Sequence, residues 1–529
     1  MKNSNLKILS KALLFAFLLS FCQSLFAQNK YWVFFTDKDG ESFNPYEYFD
    51  IKAIDRRIQN GISLFDKTDF PVKEEYISKI SEKVDSISNH SRWFNALAVY
   101  ANENQIQEIL AFPFVENVEQ MDYYPVLAYY QADFDTTLKS KQLKILNRQT
   151  ETMGRKYFEA KGIDGKGIRI AVFDGGFPTF TENPALQHIV KGKRLIKTWD
   201  FTRNKENVFH GVSHGVMVTS CIGGIINGKK IGLATGAEFL LAKTEVRTEP
   251  FSEEENWLAA VEWADKNGAD IINSSLGYIH QRYFPEQMDG KKSLVSRAAN
   301  LAAKKGILVI NAAGNEGSSK WKIIGAPADA DSIISVGGIN PSTNYHTSFS
   351  SYGPTADKRL KPNVCAFGHV IAAGKKGLKS TQGTSFSSPL VAGFAACAWQ
   401  MNRDKNNMEM FSEIQKSGNL YPYFDYAHGY GVPQAKYFTG DNVEILPTFD
   451  FIEEDSIVKV VIKDEFFKNN NYDNSSVLYY NIQNKNGFLE KYFIISVDES
   501  EVLKININDY NDGKKLNVHY LNYTETFEF

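Results

Sequence analysis

The sequence predicts an α/β protein built around a parallel sheet that carries helices on both faces. Between residue 162 and about residue 437, short apolar runs alternate with segments of helical periodicity. The runs are continuous rather than alternating, which is typical of strands buried on both faces, and strands separated by helices pair in parallel. A small α+β unit precedes this domain and a β-rich unit follows it.

Composition sets broad limits on what the chain does. Its 529 residues are too many for one hydrophobic core and predict two or three domains. The net charge of -3 gives no electrostatic basis for binding nucleic acid or an anionic membrane. Four cysteines form no CxxC pair and no spaced Cys/His set, so no metal site is predicted. Cys221, Cys365 and Cys397 lie in apolar runs and are interpreted as core thiols.

Residues 1–27 have the layout of a secretory signal peptide. Lysines precede the apolar run 12–21, and we place cleavage after Ala27. That run is too short to span a bilayer, and no other stretch could cross one, so no membrane span is predicted. The sequence therefore predicts an exported protein, extracellular or associated with the cell envelope. Lipid attachment at Cys22 is the alternative, although Phe21 is bulky where a small residue is usual.

The small unit covers residues 28–125. Its predicted strands are 31–35, about 93–100 and 115–119, and its predicted helices are 51–58, 74–84 and 103–110, the last opened by Asn102. Residues 126–155 are more polar and predict an exposed linker that is open to cleavage.

The central domain covers residues 156–440 and the β-rich unit covers residues 441–529. Central strands are predicted at 168–173, 239–243, 269–274, 307–311 and 332–337, with helices at 216–226, 253–267 and 293–305. In the last unit, strands predicted at 457–462, 477–482, 492–497 and 516–523 indicate a β-sandwich without evident chemistry.

One serine stands where a flexible loop turns into an apolar helix. Residues 383–393 read GTSFSSPLVAG, and Pro389 falls in the first helical turn, where a missing N–H costs little. The amides and positive dipole end at such a helix start favour a nucleophile at Ser385 whose attack creates an oxyanion. An ordinary Ser/Thr N-cap is the simpler interpretation of this stretch alone.

Three other segments carry polar side chains at strand ends or a helix start. Residues 168–176, IRIAVFDGG, end a strand in Asp174, which by itself is a common turn residue. His214 opens an apolar helix within SHGVM, and we choose it over His210, which lies one turn earlier in a polar loop. In NAAGNEG, the amide of Asn315 is able to donate hydrogen bonds to an oxyanion without adding charge.

In this order the four segments resemble the subtilisin-like serine peptidases. That family shows Asp-[Ser/Thr/Gly]-Gly after its first strand, His-Gly-Thr at a helix start, Ala-Ala-Gly-Asn-x-Gly, and Gly-Thr-Ser-x-[Ala/Ser]-x-Pro. The resemblance covers roughly residues 160–437. Val216 and Phe367 depart from the family pattern without removing a reactive group. The Asp, His, Ser order also matches that of subtilisin.

The resemblance implies a catalytic triad of Asp174, His214 and Ser385. Asn315 and the Ser385 backbone N–H would then form the oxyanion hole. By the same resemblance, the run Ser275, Leu276 and Gly277 would pair with the substrate backbone, and Gly325 would lie near the pocket for the P1 side chain.

Residues 28–125 resemble the inhibitor-type propeptides of the same family, and an unrelated ferredoxin-like module is the alternative for them. The implied partners are protein or peptide substrates and the chain's own propeptide, which acts as an intramolecular inhibitor. No cofactor is required. Structural calcium is common in the family, but no loop here is acidic enough to place its ligands.

The predicted activity is therefore that of a secreted serine endopeptidase made as a zymogen. Sedolisin-type acid peptidases are disfavoured because they use a glutamate in place of His214 and an aspartate in place of Asn315. The α/β-hydrolases need Gly-x-Ser-x-Gly, and Ser387 stands at the second glycine. A catalytically silent secreted binding protein on the same fold is the remaining alternative, and loss of a triad member would favour it.

Overall fold

The structure is a computed structural model that describes residues 29–121, 140–246, 252–279, 282–375, 377–441, 444–467, 477–497, 500–510 and 513–529. The predicted signal peptide, with Cys22, lies outside the described residues. These residues fall into two compact units. The first holds residues 29–44 and 65–121, and the second holds residues 45–64 and everything described from residue 140 onward.

The first unit is a four-stranded antiparallel sheet in the order β2-β3-β1-β4, packed against two helices. The elements over residues 29–121, including two helices that belong to the second unit, are β1 (Asn29–Phe35), α1 (Pro45–Tyr48), α2 (Ile51–Gln59), α3 (Glu74–Ser81), β2 (Ser86–Ser91), β3 (Ala96–Ala101), α4 (Glu103–Leu110) and β4 (Val115–Met121).

The structure corrects the predicted strand at 93–100 and adds one before it. The strand begins at Ala96 because the preceding residues turn, with a positive φ of 50° at Asn95. The added strand, β2, pairs with β3 along the edge opposite to β1. The helix opened by Asn102 is present, with a capping box in which Asn102 and Gln105 each accept from the other's backbone N–H.

A seven-stranded parallel sheet in the order β13-β12-β11-β10-β5-β9-β6 forms the centre of the second unit. Its elements are α5 (Ser140–Glu151), α6 (Arg155–Ala160), β5 (Arg169–Asp174), α7 (Gln187–Lys191), β6 (Leu195–Asp200), α8 (His214–Gly223), β7 (Ile225–Ile226), β8 (Lys229–Lys230), β9 (Glu238–Lys243), α9 (Ser252–Lys266), β10 (Ile271–Ser274), α10 (Leu294–Lys304), β11 (Leu308–Ala312), β12 (Ile334–Ile339), β13 (Val364–Phe367), β14 (His369–Gly374), β15 (Gly377–Gln382), α11 (Thr384–Met401), α12 (Asn407–Lys416) and α13 (Ala435–Thr439).

Helices cover both faces of this sheet, as predicted. Side chains alternate along β5, so Ile170 and Val172 join the core with α8 and α11. The ring of Phe173 points the other way and meets Trp257 of α9 edge-on, with centroids 5.7 Å apart. The predicted α/β fold with a parallel sheet is therefore confirmed, with β6 and β13 as strands that the apolar pattern missed.

The structure differs from the predicted exposed linker over residues 126–155. Residues 122–139 lie outside the described residues, but the chain then forms α5, which packs into the core. Leu146, Gln149 and Met153 are buried at helical spacing, and Gln149 Nε2 donates to the carbonyls of Ile231 (2.8 Å) and Ile371 (3.1 Å). Because Gln149 places a polar amide at one of these core positions, the sequence lacks the apolar periodicity that would predict this helix.

The C-terminal region is a β-sandwich of a three-stranded and a four-stranded sheet, in the orders β16-β17-β20 and β19-β18-β21-β22, around one shared core. Its elements are β16 (Phe449–Glu454), β17 (Ile457–Ile462), α14 (Asp464–Phe467), β18 (Val477–Gln483), β19 (Leu489–Ser496), β20 (Glu501–Asn506), β21 (Lys515–Tyr520) and β22 (Tyr523–Glu528). The single strand predicted at 516–523 is instead a hairpin, which turns at Leu521 and Asn522 with positive φ angles.

The three cysteines in the described part of the chain are buried free thiols, as predicted. Burial raises the pKa of Cys221 to about 12, so this thiol in α8 stays protonated at neutral pH. Across the described ranges, no helix combines the length and the apolarity needed to cross a bilayer.

Candidate active site

Three of the predicted site residues, Asp174, Ser275 and Asn315, lie at or shortly after the carboxyl ends of three neighbouring strands. β5 ends at Asp174, β10 ends at Ser274 directly before Ser275, and β11 ends at Ala312, shortly before Asn315. Because β10 pairs in parallel with both β5 and β11, these ends lie side by side at one edge of the sheet. This is the edge at which parallel sheets form their active sites.

Asp174 is fully buried and held by hydrogen bonds. Its Oδ1 accepts from the N–H of Gly175 at 2.7 Å, and its Oδ2 lies 2.8 Å from Nδ1 of His214. The turn after the strand needs glycine, since Gly176 has φ 142° and a Cβ there would stand 2.1 Å from the carbonyl oxygen of His210. The end of β5 and the glycine turn after it therefore direct the Asp174 carboxylate towards the imidazole of His214.

His214 is the first residue of α8 and is 7% exposed. Gly215 lets the helix start approach the turn, because a Cβ on it would lie 2.6 Å from the carbonyl oxygen of Gly176. The imidazole packs against the ring of Phe386, with centroids 5.3 Å apart. With Nδ1–H donated to Asp174, Nε2 is the ring nitrogen left to accept a proton.

His210 has a different set of contacts. Its Nε2 lies 3.0 Å from Oδ2 of buried Asp200 and 3.1 Å from the carbonyl oxygen of Asn207. The structure therefore brings His214 to Asp174 and places His210 beside another carboxylate.

Ser385 lies in the first turn of α11, which begins at Thr384. It is partly exposed, whereas the other residues of the stretch 383–390 are buried. Ser385 and Ser275 exchange hydrogen bonds: Oγ of Ser385 donates to the carbonyl of Ser275 at 3.2 Å, and Oγ of Ser275 donates to the carbonyl of Ser385 at 2.9 Å. This pair of bonds joins the helix start to the end of β10.

The two predicted oxyanion donors border the same space. A Cβ placed on Gly383 would lie 3.6 Å from Nδ2 of Asn315 and 3.8 Å from the backbone nitrogen of Ser385. Oδ1 of Asn315 accepts from the backbone N–H and the hydroxyl of Thr384, at 2.9 and 3.1 Å. These two bonds fix the amide so that its Nδ2 protons are directed away from Thr384.

The predicted substrate-binding residues lie on adjoining segments. Leu276 is buried and Gly277 is exposed directly after β10. Tyr278 and Ala326 exchange backbone hydrogen bonds of 2.7 and 3.1 Å, so Gly325, which precedes Ala326, is held beside this segment. The exposed backbone of Gly277, two residues after Ser275, is suited to pairing with an extended peptide.

Thr384 is a positioning residue that sequence reasoning missed. Its hydroxyl accepts from the N–H of Gly314 at 3.2 Å while donating to Asn315, so it connects the two loops that carry the predicted oxyanion donors. The Gly-Thr-Ser order contains this threonine, but the sequence alone assigns it no role.

Within the residues that the structure describes, no group of three or more His, Cys, Asp or Glu side chains is arranged to hold a metal ion.

Two family models match the chain. The model described as the subtilase family matches residues 165–431, about half of the chain, and the model described as the peptidase S8 propeptide domain, Bacteroidota, matches residues 30–133. Residues Asp174, His214, Asn315 and Ser385 fall within the first of these ranges.

The individual proteins similar to this chain include subtilisins and a serine protease of known structure. Subtilisin NAT of Bacillus subtilis subsp. natto is 29% identical over 352 residues, which are 65% of this chain and 82% of the relative. Subtilisin of Bacillus pumilus is 30% identical over 261 residues, 49% of this chain and 86% of the relative. The crystal structure of the epidermin leader peptide processing serine protease from Staphylococcus aureus aligns with TM-score 0.55 at 15% identity, over 79% of this chain and 99% of that one, and shows the shared fold.

Proposed function

The chain belongs to the subtilase family of serine peptidases, and on that premise we propose that it is a secreted endopeptidase whose nucleophile is Ser385. Its propeptide domain makes it a zymogen. The observation that carries the proposal is the 2.8 Å contact between buried Asp174 and His214, at the sheet edge where Ser385 is solvent-accessible.

Hydrolysis begins when Ser385 Oγ attacks the carbonyl carbon of the scissile peptide bond. The hydroxyl proton passes to Nε2 of His214, which then returns it to the leaving amine. Asp174 keeps the imidazole in the required tautomer and stabilises the imidazolium that forms. Water repeats the same steps on the acyl-enzyme and releases the acid product, so the chemistry needs no cofactor.

Two hydrogen-bond donors stabilise the negative charge on the oxygen of the tetrahedral intermediate. Nδ2 of Asn315 and the backbone N–H of Ser385, at the positive end of α11, bind the oxyanion. The substrate lies as an added strand along Ser275–Gly277, and its P1 side chain enters beside Gly325.

Export follows from the signal peptide layout of residues 1–27, with cleavage after Ala27. N-terminal sequencing of the protein recovered from outside the cell tests this part, because a retained leader or a lipid on Cys22 would contradict it.

The catalytic proposal is tested by Ser385→Ala in the full chain. The variant should lose peptide hydrolysis and any self-cleavage between the propeptide and residue 156. Processing of the isolated variant at the parent's rate would contradict autocatalysis by Ser385. An unaltered chain that hydrolyses no peptide under any processing condition would favour the silent binding protein.

A further inference from the structure

One segment inside the propeptide match belongs structurally to the peptidase. The propeptide model covers residues 30–133 without a break, yet Pro45–Leu64 is part of the second compact unit. We call Pro45–Leu64 the anchor segment. It contains helices α1 and α2, and its polar side chains are bound to residues that lie more than one hundred positions later in the chain.

Two consecutive arginines of the anchor segment share one buried carboxylate. Arg57 donates from Nη1 and Nη2 to the two carboxylate oxygens of Asp265, at 2.8 and 2.7 Å, and Nη2 of Arg56 also bonds to Oδ1. Arg56, Arg57 and Asp265 are 4%, 0% and 1% exposed. Burial acts to raise the pKa of Asp265, but the guanidinium charges outweigh it and the pKa is lowered. The carboxylate is therefore charged at neutral pH.

Further bonds extend from this centre. Arg56 also donates to the backbone carbonyls of Ala269 and Lys305, the latter at 3.2 Å. Lys52 Nζ lies 2.7 Å from Oδ2 of Asp270, a carboxylate that is 2% exposed. Charged groups of the anchor segment are thus matched by acceptors on the peptidase, which is the pattern of a specific interface.

The peptidase surface is shaped for close contact. A Cβ on Gly268 would lie 2.8 Å from Cβ of Lys52, and one on Gly306 would lie 2.8 Å from Nδ2 of Asn60. Both glycines have positive φ angles, and both allow the anchor helix to sit directly on the loops that carry its acceptors.

All these contacts lie at the amino ends of the parallel strands. Asp270 directly precedes β10, Lys305 precedes β11, and Arg169, whose Nη1 is 3.1 Å from Oδ1 of Asp50, begins β5. At the opposite, carboxyl ends of these strands, Asp174 is the last residue of β5, and Ser385 is hydrogen-bonded to Ser275, which follows β10. The anchor segment is therefore separated from Ser385 by the length of the sheet, about 17 Å for a strand of six residues.

We propose that the anchor segment is a second, non-catalytic binding element, which keeps the propeptide attached to the peptidase after the chain between them has been cut. The corresponding exosite on the peptidase recognises an Arg-Arg pair on a helix, through the Asp265 carboxylate and the neighbouring carbonyls. Cutting the connecting chain does not break any of these bonds. Release of the propeptide requires the two arginines to leave the site.

Retention is measured on the full chain carrying Ser385→Ala, with a recognition sequence for a site-specific protease inserted after residue 133. Because the added protease makes the cut, the test is independent of whether Ser385 is the nucleophile. Dissociation of the N-terminal fragment is followed by size exclusion and by its off-rate from the immobilised C-terminal fragment.

The parent fragment should stay bound after cutting. Arg56→Ala with Arg57→Ala should raise the off-rate roughly a hundredfold, because truncating buried, hydrogen-bonded charge pairs acts mainly on dissociation. The matched control, Lys79→Ala with Lys83→Ala, removes the same charge from exposed pairs with Glu75 and Glu108 and should leave the off-rate unchanged.

Immediate loss of the parent fragment, or equal off-rates for the arginine variant and its control, would overturn the proposal. If the double arginine variant does not fold, Arg57→Lys and Lys52→Ala serve instead. The lysine at position 57 keeps the charge but cannot form the two-pronged bond, so the off-rate should still rise several-fold. No rise in either variant would also refute the anchor.

Discussion

Thr384 holds Asn315 by two hydrogen bonds to the same amide oxygen, one of 2.9 Å from its backbone nitrogen and one of 3.1 Å from its hydroxyl. The same hydroxyl accepts from the N–H of Gly314. An exposed asparagine side chain would otherwise sample several rotamers, and this contact fixes it with Nδ2 as the available donor. The proposed oxyanion donor is therefore ordered before substrate arrives, which is the condition under which such donors accelerate reactions most.

Asn315→Ala should lower kcat by roughly 10²–10³-fold and change KM little, because the lost bond forms chiefly in the transition state. Steady-state kinetics on a peptide substrate measures both constants. The variant also leaves two donors of buried Thr384 without their acceptor, so the thermal unfolding midpoint should fall modestly, by no more than a few degrees. A matching rise in KM would indicate that Asn315 binds ground-state substrate instead.

Thr384→Val should lower kcat by about tenfold, since the backbone bond to Asn315 remains while the hydroxyl bond is lost. The decisive measurement is a double-mutant cycle. In the Asn315→Ala background, Thr384→Val should have no further effect on kcat, because Thr384 acts through Asn315. Additive losses would show a separate role for the hydroxyl.

Asp174→Asn should reduce kcat by about 10⁴-fold, because an amide at this position stabilises the wrong imidazole tautomer. His214→Ala should cause a loss of similar size. His210→Ala is the matched control: its partner is Asp200, so activity should stay within a few-fold of the parent. Comparable loss in the two histidine variants would contradict the assignment of His214 as general base.

Activity should rise from acid toward neutral pH, because His214 must be neutral to accept the proton of Ser385. The pH profile of kcat/KM measures this. An optimum below about pH 5 would favour the acid-peptidase mechanism that His214 and Asn315 argue against.

Lys361 predicts a pH dependence of stability that is separate from catalysis. Burial, together with the nearby charge of Arg359, lowers the pKa of Lys361 from 10.5 to about 7. Between these values the unfolded chain binds more protons than the folded one, so the free energy of unfolding should increase with pH, by at most about 1.4 kcal/mol per unit.

Denaturant unfolding at pH 7 and pH 10 tests this contribution. Lys361→Met should reduce the gain in stability between the two pH values, whereas Lys320→Met, at an exposed position, should preserve it. An identical gain in the free energy of unfolding in the two variants would show that Lys361 is not the source of the pH dependence.

The parallel sheet and the main site segments were predictable because their signals are local. β5, α8 and α11 are nearly unbroken apolar runs, and Asp174, His214 and Ser385 stand at their ends. The structure then places the strand ends side by side, which a parallel sheet requires.

What escaped prediction depends on contacts between distant residues. Arg56 and Arg57 belong to an amphipathic helix, where charged residues ordinarily face solvent, and nothing local indicates that Asp265 buries them. Gln149 also depends on distant contacts. In the sequence its amide is typical of a polar linker, but in the fold it is buried and donates to carbonyls of other segments of the chain. A prediction based on hydrophobicity alone assigns polar side chains to the surface, so it misses those that occupy core positions.

Labelling with phenylmethylsulfonyl fluoride, followed by mass mapping of the modified peptide, identifies the nucleophile itself. One modified residue, Ser385, is expected in the processed enzyme, with no labelling in Ser385→Ala and greatly slowed labelling in Asp174→Asn. Labelling of a different serine, or equal labelling of the Ser385→Ala variant, would contradict it.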